Sequence, residues 1–424
     1  MGGGGVMVLW LILAACDNGK IGEGDPVVET DLDAPTYYAD VKPLIAEHCT
    51  RCHYTDGLGA GDFTDLDEVT ALAPAIYSAV ADGRMPPPAS DPGCQDYAGS
   101  DALNLSDEEK ETILRWIDAD TPLGDPADEP ELPVVSNDLD DPDLVIMMDQ
   151  PYQPTYSDAA NPGNEYRCFL LEKPEDMQSF YITALAPVID HAAIAHHAVL
   201  FTTKSKDLAP YLDDYTDGDG VDCINDMNAI DGMIGAWAPG MMPIQFPEGA
   251  GMRIAEDDQI ILQMHYFYSG EETADQPDHS GYAFDVAESV DTTIFMAPLG
   301  NFNFRIPADD DDYTVTDSLY NSYVDLKTYG MFPHMHILGQ RFEARIEHSD
   351  GSETCLVEGE YDFDNQMTYQ FTEVIPFEQG DTIRYSCNWN NSESNPGLST
   401  EPKTTSYGER TDEEMCFFFT FVSL

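Results

Sequence analysis

The segment FPHMHILGQ, residues 332–340, carries two histidines two positions apart inside an apolar run. On a β-strand, residues i and i+2 point to the same face, so His334 and His336 present two imidazoles side by side. Other segments of this half of the chain also read as strands. QIILQMHYFY (259–268), RFEARIEH (341–348) and CFFFTFV (416–422) are short and alternating or apolar, and clusters of Gly, Pro, Asn and Asp separate them. Many short strands with such turn signals predict β-sandwiches or barrels.

The chain has 424 residues, which is more than one small core accommodates, so two or three domains are expected. Its 18 basic and 80 acidic residues give a net charge of −62. Such a chain repels nucleic acid and anionic lipid surfaces, and the plain meaning of the excess is a solvated, salt-tolerant exterior. The N-terminal run VMVLWLILAAC (6–16) is apolar but too short to span a bilayer. It reads as a signal peptide over 1–15, and Leu13-Ala14-Ala15-Cys16 resembles a bacterial lipobox. The residues before it include no Lys or Arg, which a signal peptide normally has there. The expected location is the bacterial cell envelope, lipid-anchored at Cys16 and facing periplasm or exterior, with no other membrane contact. Export permits disulfides among the remaining cysteines.

A polar tether is expected over 16–35, a helical domain over 36–123 and an acidic, Pro-rich linker over 124–144. The strand-rich remainder divides into 145–284 and 285–424. Within the helical part, Cys49-Thr50-Arg51-Cys52-His53 is the C-x-x-C-H attachment signature of a c-type haem. Two thiols one helical turn apart can bond two vinyl groups of one porphyrin edge, and the next residue then reaches the iron. DGRMPPP (82–88) offers Met85 as the opposite ligand, and Ser106 with Glu109 forms a capping box that opens a helix. Together these motifs resemble a small class I cytochrome c domain. His48 reads as a surface or packing residue. A His/Met-ligated iron has a raised potential, suited to an electron carrier.

Of ten histidines, five fall in three apolar segments: His196 and His197 in AHHAVLF, His265 in LQMHYFY, and His334 and His336 in FPHMHILGQ. Grouped in this way they indicate metal, and neutral imidazole suits zinc, copper, iron or nickel alike. Adjacent residues on a regular strand face opposite ways, so His196 and His197 can share an ion only if the backbone bulges or the strand ends there.

In chain order, AHHAVLF, GAWAPGMMPIQFPEGAGMRI (235–254), LQMHY, HMHILG and the terminal Glu-Met-Cys of DEEMCFFF resemble the copper type II, ascorbate-dependent monooxygenases, the peptidylglycine α-hydroxylating and dopamine β-monooxygenase family. The resemblance runs over about 145–424 and implies two jelly-roll sandwiches with two copper ions. His196, His197 and His265 would hold one. His334, His336 and Met415 would hold the other, where a soft thioether favours Cu(I). It further implies hydroxylation of a C–H bond by dioxygen at the Met-containing site. The second electron would come from the three-histidine site. The electrons would originate from an ascorbate-like reductant or redox protein, here through the fused haem. By the same resemblance Cys387 pairs with Cys416, tethering the strand that bears Met415. Cys168 and Cys223 are a second expected pair, and Cys94 and Cys355 have no assigned partner.

Peptide-hydroxylating members hold a substrate carboxylate with an Arg two positions before the His-x-His, and place Asn and Tyr just after the Met-Cys. Those positions here are Phe332, Phe417 and Phe419. A small apolar or aromatic substrate is therefore expected. The competing reading is a non-catalytic haem and copper lipoprotein for electron transfer or copper holding. DDYTDGDGVD (213–222) hints at a calcium loop but breaks the EF-hand pattern at Tyr215. The acidic run at 309–312 reads as a solvated turn.

Overall fold

The computed structural model describes residues 34–55, 57, 59–133, 135–157, 163–174, 177, 179–208, 219–223, 232–268, 276–398 and 400–424. The leader, Cys16 and most of the acidic 213–222 loop lie outside the described residues. Among the described residues no helix is long and apolar enough to cross a membrane.

The described residues open with a wide helical turn, Tyr37–Val41, then α1 (Lys42–His48), α2 (Leu66–Ala81), α3 (Ser100–Leu103) and α4 (Asp107–Asp118). The expected capping box is present: Ser106 accepts the Glu109 backbone N–H while Glu109 accepts from Ser106. Ile113 and Trp116 then fall on the buried face of α4, and Trp116 joins Tyr37, Val41, Ile45, Phe63 and Val69 in a small core. His48 is 5% exposed, so it is a packing residue of the interior rather than of the surface.

The rest is mainly β. The strands are β1 (Leu144–Met147), β2 (Asn164–Leu171), β3 (Phe180–Val188), β4 (Ala195–Lys204), β5 (Val221–Asp222), β6 (Gly232–Trp237), β7 (Ile244–Gln245), β8 (Ala250–Ile254), β9 (Asp258–Phe267) and β10 (Gly281–Ala287). They continue with β11 (Thr292–Gly300), β12 (Arg305–Ile306), β13 (Asp310–Tyr320), β14 (Leu326–His334), β15 (Gly339–Glu347), β16 (Glu353–Glu360), β17 (Tyr369–Phe377), β18 (Thr382–Asn391), β19 (Thr405–Ser406) and β20 (Phe417–Ser423). The alternation in β15 shows why these segments are strands. Phe342, Ala344 and Ile346 are buried, while Arg341, Glu343, Arg345 and Glu347 face outward.

One long sheet runs β1-β10-β3-β8-β11-β20-β14-β17, with β7 also paired to β3. Its first half packs against the sheet β5-β2-β9-β4-β6, burying Phe169, Ile182, Leu200, Leu262 and Phe284. Its second half packs against β13-β18-β15-β16, burying Met331, Phe342, Tyr385, Trp389 and Phe418. The result is two sandwiches with a shared sheet, joined where β8 and β11 pair in parallel. The expected division at 284/285 falls inside β10, whose ladder with β3 continues to Ala287.

The helical part is docked on both sandwiches. Arg51 Nη1 donates to the Gly240 carbonyl at 2.6 Å, and Asn137 Nδ2 donates to the Arg51 carbonyl at 3.0 Å. On the second sandwich, the Asp91 and Ala98 N–H groups donate to the carbonyls of Glu358 and Gln370. Tyr97, 2% exposed, packs edge-on against Tyr369, a burial worth about 1.5–3 kcal/mol. Cys94 and Cys355, unassigned from sequence, form a disulfide across this junction. The two expected pairs, Cys168–Cys223 and Cys387–Cys416, are also present. Residues expected to be a free linker are pinned as well: Glu129 pairs with Lys42, and Leu139 is buried against Ala184 and Ala283.

Candidate metal centres

His197 on β4 lies directly opposite His265 on β9. The β4–β9 register shifts between Ala195 and His197, and this bulge lets His196 turn to the same face. His197 Nδ1 lies 3.2 Å from His196 Nδ1 and 3.3 Å from His265 Nδ1, so three ring nitrogens converge on one point. The outer nitrogens are held. His265 Nε2 donates to Asn164 Oδ1 and His196 Nε2 to Asp364 Oδ1, each at 2.8 Å. Tyr166, the cross-strand partner of His265, stacks on its ring with centroids 4.0 Å apart. Burial, and then the neighbouring histidines, hold His197 and His265 well below the ordinary imidazole range. Both are therefore neutral and keep a lone pair for a metal.

The second cluster is oriented through the opposite ring nitrogens. His334 is the last residue of β14, and His336 lies just beyond it, so a strand end brings the two rings to 5.2 Å. His334 Nδ1 donates to Gln366 Oε1 at 2.7 Å, and Gln366 is itself fixed by donating to the Phe363 carbonyl. His336 Nδ1 donates to the Glu413 carbonyl at 3.0 Å. Both rings thus keep Nε2 available. Burial lowers His334 to about 4 and His336 to about 3, with His334 adding to the effect on His336. Met415 precedes β20, where Phe417 pairs with His334, and the Cys387–Cys416 disulfide fastens that end. His197, His334, His336 and Met415 line one cavity of roughly 400 Å3, together with Trp237, Phe332, Phe417 and Phe419.

Two nitrogen sets with free lone pairs, one sharing its cavity with the Met415 thioether, fit copper. Tetrahedral zinc sites seldom use Met. Sequence profiles of the copper type II ascorbate-dependent monooxygenase N-terminal and C-terminal domains match residues 155–288 and 306–422. The chain belongs to that family. It is accordingly a copper-dependent monooxygenase, an oxidoreductase that uses dioxygen, a substrate and a reductant such as ascorbate. No curated protein matches the chain. Among solved structures, that of infectious bursal disease virus Gt strain is 11% identical, covering 68% of this chain and 73% of its own, at a TM-score of 0.16. The VP2 subviral particle of the same virus is 13% identical, covering 67% and 71%, at a TM-score of 0.17. Likeness at that level carries no argument about this monooxygenase.

The haem motif is partly assembled. Cys49 and Cys52 are free thiols while the six other described cysteines are paired. Burial pushes the Cys49 thiol up to about 12 against the pull of Arg51. His53 Nδ1 donates to the Ala60 carbonyl at 2.9 Å, leaving Nε2 as the iron ligand would require, and its ring stacks on Phe63. Gly59 permits this fold-back, since a Cβ there would lie 2.5 Å from the imidazole. These residues fit the attachment side of a haem. Met85 is not brought to them: it is 40% exposed and lines a separate pocket with Val80, Leu103 and Leu105.

Several supporting residues escaped the sequence reading. Asn164 at the start of β2, and Asp364 and Gln366 in the loop before β17, orient imidazoles far away in sequence and have no local signature. Glu414 was visible as a letter of Glu-Met-Cys, but not its role. Wholly buried, it accepts the N–H groups of His336, Leu338 and the Trp389 indole. Burial raises its carboxyl to about 8 despite these donors.

Proposed function

We propose that this monooxygenase is exported and haem-fused, and that it hydroxylates a C–H bond of a small apolar substrate. One observation carries the reading: His197, His334, His336 and Met415 open onto a single cavity walled by Phe332, Phe417 and Phe419. The ligand sets are His196, His197 and His265 through Nδ1, and His334 and His336 through Nε2 with Met415. Copper bound there supplies the dioxygen and one-electron chemistry. The chain's own part is placement. Asn164, Asp364, Gln366 and the Glu413 carbonyl orient the rings. The stacked Phe417 and Phe419 seat an apolar substrate and exclude water. With Phe332 where peptide-hydroxylating members have Arg, a substrate carboxylate finds no cation at that position.

The free Cys49 and Cys52 and the available His53 Nε2 support a covalent haem c held from its attachment side; Met85, exposed on a separate pocket, is not proposed as its opposite ligand. Three disulfides support an oxidising compartment and hence export, with the anchor at Cys16 of the bacterial envelope. The test is the full-length protein assayed for copper, haem and substrate-dependent oxygen uptake on a panel of small apolar compounds and a glycine-extended peptide. The expected result is one haem and two coppers per chain, with turnover confined to the apolar set. Preferred turnover of the peptide, or a chain that binds neither copper, overturns the proposal.

A further inference from the structure

Trp237 ends β6 and is 7% exposed. It lines two cavities at once. One is the cavity that holds His197, His334, His336 and Met415. The other is a small cavity whose walls include Arg51, Cys52, Asn137 and Gly240. On the first side, Trp237 pairs across the ladder with Ala198, the residue after His197. On the second, the chain runs from Trp237 through Ala238 and Pro239 to Gly240, against which the C-x-x-C-H motif is seated. Gly240 has φ +79°, and a Cβ there would lie 2.7 Å from Cys52 Sγ, so only glycine lets the backbone meet the sulfur. The Arg51 guanidinium, 5% exposed, clamps the same residue by donating to its carbonyl. An indole thus bridges two cavities, and a short covalent path links it to a clamped contact at the Cys52 sulfur.

We infer that Trp237, with the 238–240 turn, is the conduit that carries single electrons from the haem edge at Cys52 to the three-histidine copper. This rests on the haem and copper reading above and adds the residue that joins them. Each transfer moves one electron: iron goes from ferrous to ferric and copper from Cu(II) to Cu(I), with no bond made or broken and no proton moved. The external donor is any one-electron reductant able to reduce the haem. A docked contact suits repeated transfer better than a tethered swing, because donor and acceptor need not find each other at every turnover.

The experiment uses the full chain loaded with haem and Cu(II). A photoreductant reduces the haem in a flash, and the return of its oxidised spectrum is followed with no substrate present. In the wild type the haem reoxidises with first-order kinetics independent of protein concentration, and His265→Ala, which removes a ligand of the accepting copper, abolishes the phase. Trp237→Leu slows the phase by about tenfold or more, with Trp237→Phe intermediate. Haem content, haem midpoint potential and the Cu(II) spin-resonance spectrum serve as controls and stay at wild-type values in both variants. An unchanged rate in Trp237→Leu overturns the conduit alone. A wild-type chain that binds no haem, or whose haem never reoxidises, overturns the haem reading and the conduit with it. A shifted haem potential or altered copper spectrum in both variants assigns Trp237 to packing and overturns the inference.

Discussion

Asp364, in the loop before β17 of the second sandwich, accepts a hydrogen bond from Nε2 of His196 on β4 of the first, at 2.8 Å. That bond holds the Asp364 carboxyl below its ordinary range. It also selects the His196 tautomer whose Nδ1 faces the cluster. Asp364→Ala is expected to weaken copper at the three-histidine site by about 10- to 100-fold, leaving the Met415 site loaded. Copper titration with spectroscopic assignment of the two sites checks this; equal loss at both sites contradicts it.

Glu414 accepts from the His336, Leu338 and Trp389 N–H groups and is 0% exposed. Removing the carboxylate strands three buried donors, each costing about 1–3 kcal/mol. Glu414→Ala is therefore expected to lower stability by about 3 kcal/mol or more. Gln should rescue only part, because its NH2 faces donors. Urea unfolding of the copper-free variants measures both.

Acid should destabilise the copper-free protein through its buried histidines. His334 and His336 titrate at about 4 and about 3 in the fold, against about 6.5 in an unfolded chain. Between those values the unfolded state binds more protons, so stability is present above about pH 6.5 and falls as pH drops toward 4. His336→Gln should flatten that slope. Copper bound only to the folded chain should raise stability across this range and leave the slope in place, because the unfolded histidines still take up protons. Unfolding midpoints across this pH range are the measurement.

The Cys94–Cys355 disulfide closes a sequence separation of 261 residues. The chain-entropy estimate for such a loop is on the order of 5 kcal/mol, with measured bridges more often at 2–4. A Cys94→Ser, Cys355→Ser double variant is expected to lose stability in that range and to release the helical part to proteolysis before the sandwiches unfold. Simultaneous digestion of all three parts would show that the other contacts already make them one cooperative unit.

Phe332, two residues before His334 and lining the same cavity, stacks on Phe419 at 6.0 Å. Phe332→Ala should raise the KM for an apolar substrate by about 10- to 150-fold, the scale of one lost aromatic contact of about 1.5–3 kcal/mol. The copper content should be unchanged. A KM that stays constant would place the substrate elsewhere.

Much of the architecture is written in local pattern. The alternation of RFEARIEH, the capping box at Ser106 and Glu109, and the histidine groups are all rules of spacing along a few residues, and each reappears in the fold. Even the difficulty at His196 and His197 was legible: two neighbouring ligands required a bulge, and the ladder has one there. The line at 284/285 failed because turn signals mark strand ends but not which sheet a strand joins, and β10 carries straight through it.

Sequence alone supplied the types and spacing of the ligands, since these depend on side-chain chemistry and backbone period. Three things came only with the folded chain: the ring nitrogen that each imidazole turns inward, the Asp364 and Glu414 supports, and the Cys94–Cys355 bridge that locks the helical part in place. Each joins residues dozens to hundreds of positions apart. Such contacts arise from how the sheets close on one another, and no rule of local periodicity reaches that far.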